Sequence, residues 1–285
     1  MALINVLCIG DVVGKPGRGV LADHLPDLVR DRELDLVVCN AENAAGGSGL
    51  TPQIFHKLLR YGVDVVTLGD HVYRKGEIVS ILRSSDRIVR PANLAPQAAG
   101  RRWTIVPTKS GRVQAAVTSL LGQIYMGSHD SPWTAVDEIF AEIPSEVCVR
   151  IVDMHAEATS EKVGMGWYLD GRASIVFGTH THVPTADYRI LDQGTAFVSD
   201  LGMTGPYDSV LGRRKDRVLK AMSTSMPQRF EVARDDPRMS GIIVTVDTHT
   251  GWAQSIERIE VRGRTQEGGP YDADDGRPQS VSDGT

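Results

Sequence analysis

The run Leu3-Ile4-Asn5-Val6-Leu7-Cys8-Ile9-Gly10-Asp11 is too continuously apolar for a strand with one wet face and too short for a buried helix. It reads as a strand covered on both sides that ends in a glycine and a carboxylate. Downstream of it, residues 19–29 carry apolar residues at helical spacing and 35–39 form a second covered strand. Thr51-Pro52 is a helix start, an N-cap followed by proline at the first helical position, and 63–68 form a third strand. Strand alternating with helix predicts a parallel sheet with crossover helices.

The later chain changes character. Residues 103–106 and 113–121 flank the turn Lys109-Ser110-Gly111-Arg112, 188–199 fold back at Asp192-Gln193-Gly194, and 242–246 pair with 253–261, so three hairpins bring in antiparallel strands. Ser131-Pro132 starts another helix, and 147–152 and 174–177 are buried strands. These strands are too many for one open sheet. Two packed sheets flanked by helices, an α/β architecture, account for them.

Composition narrows the function. The 285 residues are 41% apolar and 24% charged, an ordinary balance for a globular enzyme. Thirty-one basic against 36 acidic residues give a net charge of -5, which argues against a stable nucleic-acid partner. No apolar run approaches the roughly 20 residues of a membrane helix, and the N-terminus lacks a basic flank with a long apolar stretch, so a cytoplasmic protein is expected. Cys8, Cys39 and Cys148 lie in apolar stretches and read as buried thiols. Residues 263–285 are rich in Gly, Pro, Ser and Asp, with Tyr271, Ala273 and Val281 as their apolar members, and are expected to form a disordered acidic tail on a single domain of residues 1–262.

Chemistry gathers where the strands end. Asp11 follows the first strand, Glu42-Asn43 the second, Asp70-His71 the third, His155 the strand at 147–152, and His180-Thr181-His182 the strand at 174–177. Side chains from neighbouring strands converge at carboxyl ends, where α/β sheets bind ligands. In an extended segment residues two apart point the same way, so His180 and His182 are expected to address one site together. Gly10, Gly46, Gly47, Gly69 and Gly178 would let backbone approach a crowded centre. Any one of these residues alone reads as a helix cap or a hydrogen-bonded core histidine, as His24, His56, His129 and His249 do. Their recurrence at five strand ends points to a metal centre.

Three carboxylates, three imidazoles and an amide, with no thiolate, suit divalent first-row metals such as Mn, Fe, Zn or Co. They are too many for one open catalytic ion, and two ions sharing a carboxylate use them economically. Gly10-Asp11-Val12-Val13-Gly14-Lys15 falls short of a nucleotide-binding P-loop, being one residue too short between glycines and followed by Pro16 instead of Ser or Thr. Lys15 and Arg18 are then either contacts for a substrate phosphate or solvated charges on a turn entering the helix.

Five motifs carry a resemblance. Gly10-Asp11-Val12-Val13-Gly14-Lys15-Pro16-Gly17-Arg18, Asn40-Ala41-Glu42-Asn43-Ala44-Ala45-Gly46-Gly47, Asp153-Met154-His155-Ala156-Glu157-Ala158-Thr159-Ser160-Glu161-Lys162, Gly178-Thr179-His180-Thr181-His182-Val183-Pro184-Thr185-Ala186-Asp187 and Leu201-Gly202-Met203-Thr204-Gly205-Pro206-Tyr207-Asp208 are similar to bacterial YmdB-type calcineurin-like metallophosphoesterases. The resemblance covers about residues 1–262. It implies a four-layer sandwich of two mixed β-sheets flanked by helices, 2′,3′-cyclic-nucleotide phosphodiesterase activity on a small-molecule substrate, and a homo-oligomer. It implies two divalent ions, with Fe, Mn, Zn or Mg as candidates. Asp11, Glu42 and His182 would hold one ion, and Glu42, Asp70, His155 and His180 the other, with Asn43 touching the centre and His71 assisting the leaving group. The family usually has Gly-Asn-His where this chain has Gly69-Asp70-His71, and that change of charge also motivates an alternative, a slow-turnover regulatory protein that keeps the metal or nucleotide pocket.

Overall fold

Two sheets pack face to face, with helices on both outer surfaces. The computed structural model describes residues 2–264 apart from Arg112, so the tail expected over 263–285 lies, beyond Arg264, outside the described residues. In chain order the elements are β1 (Leu3–Ile9), α1 (Gly14–Asp31), β2 (Leu34–Asn40), α2 (Pro52–Tyr61), β3 (Val65–Thr67), α3 (Val79–Ser84), β4 (Ile88–Val89), β5 (Trp103–Pro107) and β6 (Gln114–Leu121). There follow α4 (Pro132–Glu142), β7 (Val149–His155), α5 (Thr159–Tyr168), β8 (Ile175–Thr179), β9 (Arg189–Ile190), β10 (Ala196–Val198), β11 (Gly205–Pro206), α6 (Lys215–Thr224), β12 (Pro237–Asp247) and β13 (Ala253–Arg262).

The first sheet has the order β11-β12-β1-β2-β3-β4, with β13 on the other side of β12. Strands β1 to β4 run parallel, and β12 joins antiparallel with Leu3 opposite Asp247 and Ile9 opposite Gly241. The second sheet has the order β5-β6-β7-β8-β10-β9, with β6, β7, β8 and β10 parallel and β5 and β9 as antiparallel edges. All three expected hairpins form, and both sheets are mixed.

Alternation along the strands fills the layers between them. From β1 and β2, Val6, Cys8, Leu36 and Val38 meet Val117, Ile151 and Phe177 of the second sheet. Leu7, Ile9, Val37 and Cys39 point the other way, onto Leu21, Leu25, Phe55 and Leu58 of α1 and α2. On the far side Val152, Met154 and Val176 pack against Val136, Ile139 and Met165 of α4 and α5. The caps form as read: Thr51 accepts from Ile54 N at 3.3 Å and Ser131 from Thr134 N at 3.3 Å, each with proline next, and Gly62 closes α2 at φ 113°.

Several expectations need correction. Helix α1 begins at Gly14, not near residue 19, because Pro16 falls in the first turn, where no intrahelical N–H bond is lost. Lys15 is exposed, whereas Arg18 is buried and donates to the Ala44 carbonyl, so Arg18 is neither solvated nor presented to a phosphate. None of the four histidines read as core residues is buried: His24 and His129 are half-buried, and His56 and His249 are exposed on the outside of α2 and on the β12–β13 turn. Cys8 and Cys39 are buried but Cys148, just before β7, is only partly so. No helix among the described residues is long and apolar enough to cross a membrane.

Candidate metal centre

The five strand ends meet, but they come from two sheets. β1, β2 and β3 deliver Asp11, Glu42-Asn43 and Asp70-His71, while β7 and β8 of the other sheet deliver His155 and the loop from His180 to His182. The carboxyl ends of both parallel sets open at the same edge of the sandwich. Residues Glu42, Asn43, His71, His180, His182 and Arg213 are among those lining a cleft there of about 310 Å³.

At its centre, donor atoms of Glu42, Asp70, His155 and His180 lie within 4.8 Å of one another. His155 Nε2 is 3.0 Å from Asp70 Oδ1, 3.3 Å from Glu42 Oε2 and 3.1 Å from His180 Nδ1. A relay sets the tautomer of His155. Thr179 Oγ1 donates to Asp153 Oδ1 at 2.6 Å and accepts from His155 Nδ1 at 2.8 Å, which leaves the lone pair of Nε2 facing the carboxylates. Glu157, 3.2 Å from His180 Nε2, likewise turns His180 Nδ1 inward. Lone pairs gathered this closely repel unless a proton or a cation lies among them. Burial would lower the pKa of His155, but Glu42, Asp70 and Asp11 outweigh it and carry the ring up to about 10. Burial also opposes ionisation of Asp70 and Glu42, yet the surrounding histidines hold both below the ordinary carboxylate range.

Asp11 tests whether the residues present fit a cation. It is fully buried, and burial pushes its pKa up. Its Oδ2 accepts from His180 N at 3.1 Å, while Oδ1 has no hydrogen-bond partner. A buried carboxylate oxygen in that state is costly unless a cation takes it. The donor set therefore fits divalent ions, hard oxygens and imidazoles without thiolate.

The His180-Thr181-His182 segment differs from the expectation. β8 ends at Thr179, and His180 and His182 both adopt positive φ, 97° and 65°, so strand alternation does not bring them together. His180 faces His155 and Asp70, whereas His182 Nε2 lies 3.2 Å from Asn43 Nδ2 and its Nδ1 3.1 Å from the Leu211 carbonyl. Such backbone costs on the order of 1–3 kcal/mol per residue and persists only when its surroundings enforce it. Asp200 does so by accepting from Thr181 N at 3.2 Å and Thr181 Oγ1 at 2.6 Å. It is held in turn by buried Lys162 at 2.7 Å.

Asn43 holds His71. Its Oδ1 accepts from His71 Nδ1 at 2.8 Å, and its Nδ2 faces Glu42 Oε1 at 2.7 Å, so a ligand role for Asn43 would need the amide turned over. His71 N donates to Glu42 Oε2 at 3.0 Å, and His71 Nε2 is left toward the cleft, 3.6 Å from Asp70 Oδ2. Glu42 thus has Oε1 toward the side chains of Asn43 and His71 and Oε2 toward His155 and the His71 backbone N–H.

Residue spacing assigns no role to Asp153, Glu157, Lys162 and Thr179, which stand inside the quoted motifs, nor to Asp200 and Arg213. Asp153 was detectable, lying two residues before His155 on the same face of β7. Burial raises its pKa to about 6, against hydrogen bonds from Thr179, Thr67 and Asn40. Gly69 is required for packing: a Cβ there would lie 2.2 Å from His155 Nε2. Gly69→Ala is therefore expected to displace the ring and weaken metal binding roughly 10- to 100-fold, read by metal titration alongside Tm. Unchanged affinity would remove His155 from the centre.

A model of the YmdB-like protein family matches residues 7–259. The 2′,3′-cyclic-nucleotide 2′-phosphodiesterase of Bacillus subtilis (strain 168) is 43% identical over 256 residues, 90% of this chain and 96% of that protein. Among solved structures, a hypothetical protein from Thermus thermophilus matches with a TM-score of 0.85 at 38% identity, covering 92% of this chain and 100% of that one. A phosphatase from Mycoplasma pneumoniae matches with a TM-score of 0.86 at 31% identity, covering 92% and 94%. Two mixed sheets with helices outside, a cluster of metal-type ligands at their shared edge and similarity over nine-tenths of the chain agree: the protein belongs to the YmdB-like family.

Proposed function

We propose that the cleft hydrolyses phosphodiester bonds, with 2′,3′-cyclic nucleotides as the substrate class, and that it works with two divalent ions. The buried Oδ1 of Asp11, which has no hydrogen-bond partner and lies 3.9 Å from His155 of the Glu42, Asp70, His155 and His180 cluster, carries this reading. The substrate class rests on the name of the B. subtilis relative. Asp11, Glu42 and His182 would hold one ion, and Glu42, Asp70, His155 and His180 the other. When bound, such ions ionise water at neutral pH and neutralise charge on phosphoryl oxygens.

The chain's own residues do the rest. Water attacks phosphorus and gives up a proton to solvent, the bond to the 2′ oxygen breaks, and that oxygen takes its proton from His71 Nε2, leaving a 3′-monophosphate; His71 then regains a proton from solvent. Asn43 Oδ1 holds Nδ1 and so aims Nε2 outward. Burial would lower the pKa of His71, but the hydrogen bond and charge of Glu42 raise it and favour the proton-bearing form. Metal analysis of protein purified without chelator, followed by a screen of diesters against monoesters, tests the reading. Two ions per chain and preferential diester turnover are expected; no ion, or a preference for monoesters, would defeat it.

Asp70 gives a sharper expectation. With Asp11, Glu42 and Asp70 ionised against two divalent cations the centre would carry a net charge of about +1, one unit less than with asparagine at position 70. The extra negative charge makes the attacking water harder to ionise, so Asp70→Asn should shift the pH of half-maximal rate downward by on the order of one unit. It should also narrow the preference for singly charged diesters over dianionic monoesters. pH–rate profiles and substrate ratios at full metal loading check both; if neither moves, Asp70 is not a ligand.

A further inference from the structure

Among the described residues, Arg213 is the cation of the cleft without an acidic partner. The turn that carries it is tight, with Val210 N to Arg213 O and Arg213 N to Val210 O both at 2.9 Å and Leu211 and Gly212 at positive φ. Two contacts tie this turn to the site: the Leu211 carbonyl on His182 Nδ1, and the Arg213 guanidinium on the carbonyls of Gly46 (3.3 Å) and Gly47. The loop is shaped around the guanidinium, since a Cβ on Gly47 would lie 2.5 Å from Arg213 Nη1. Arg214 next to it is paired with Asp216 and Glu231, as surface arginines commonly are. Arg213, by contrast, has no carboxylate within ion-pair distance among the described residues, although it is partly buried and lines the same cleft as Glu42, His71 and His182.

A guanidinium has five N–H donors in a planar fork that matches phosphate, and the two carbonyls occupy two of them. Fixing it on main-chain carbonyls holds the fork in place without neutralising it, which preorganises the charge for an anion arriving from solvent. We propose that Arg213 is a phosphate-binding residue of the cleft, placing its guanidinium on a non-bridging oxygen of the substrate phosphodiester or of the product phosphate. The substrate half rests on the phosphodiesterase reading; affinity for the phosphate group does not. Arginine suits the role better than lysine because the planar fork keeps its donors once two are spent on the loop.

The experiment titrates inorganic phosphate by calorimetry into the full-length, metal-loaded chain and its Arg213→Met and Arg213→Lys variants, with metal content and Tm measured on the same samples. Arg213→Met should weaken phosphate binding roughly tenfold, with a similar rise in KM for a 2′,3′-cyclic nucleotide and a smaller change in kcat. Metal content should stay intact, Arg213→Lys should recover part of the loss, and added guanidinium salt should recover part in Arg213→Met. No measurable phosphate binding by the unmodified protein, or the same affinity in Arg213→Met, overturns the proposal. So does a loss that follows loss of metal and responds to neither lysine nor guanidinium, which would make Arg213 only a clamp on the loop behind Glu42 and Asn43. If the unmodified protein binds phosphate but cleaves no diester, the proposed function fails while the phosphate comparison still decides Arg213.

Discussion

Replacing Glu42 with glutamine is expected to cost more activity than any other single change at the centre, about 10³-fold or more in kcat. Its two oxygens face different partners, Oε1 the side chains of Asn43 and His71 and Oε2 His155 and the His71 backbone N–H, so one carboxylate would serve both proposed ion sites. The amide keeps the shape but removes the charge, and it points an NH₂ at one of the two positions. Two dications would then face each other without the negative charge between them, and at least one should leave. With the NH₂ in the place of Oε2 the same change also takes away the acceptor of the His71 backbone N–H and weakens the placement of His71. Metal stoichiometry measured together with turnover checks this. Two retained ions and a near-normal rate would refute the shared-carboxylate assignment.

His71→Ala is expected to slow diesters with basic leaving groups by about 10² to 10⁴-fold and to affect those with good leaving groups far less, because proton donation helps only where the departing oxygen needs a proton. The imidazole has the geometry for this: one nitrogen is on Asn43 Oδ1 at 2.8 Å and the other is directed at the cleft beside Asp70. Opposing influences act on its proton. Two dications would disfavour the imidazolium form, whereas Glu42 and Asp70 favour it. A leaving-group series separates the roles. Equal losses across it would mean that His71 stabilises charge without transferring a proton, and no loss at all would take it out of the reaction.

The sequence alone determined the parts whose signals are local. The mostly apolar runs at β1 and β2, interrupted only by Asn5 and Asp35, need cover on both faces, and Thr51-Pro52 and Ser131-Pro132 carry their own capping chemistry, so these elements were legible without tertiary context. The hairpins were legible because turn residues separate their strands. Less could be read where neighbours override propensity. Helix α5 contains Gly164 and Gly166, poor helix residues, and Gly166 is there because a Cβ would lie 2.5 Å from the Phe197 ring. Helix α6 buries only Val218 and leaves Leu219 and Met222 exposed, so it packs little of its apolar face, and β4 and β11 are two residues each. The same division runs through the site. Ligand-type residues after strands were visible one by one, but their meeting at one edge depends on packing two sheets whose contacting contributions, such as Asp70 and His155, lie 85 residues or more apart in the chain. The turn of His180 away from His182, the hydrogen-bond chain from His155 through Thr179 to Asp153, and the placing of Arg213 against Gly47 depend on backbone angles and contacts that residue spacing does not encode. Only the tertiary structure decides these, because each comes from groups distant in the chain competing for the same space and the same protons.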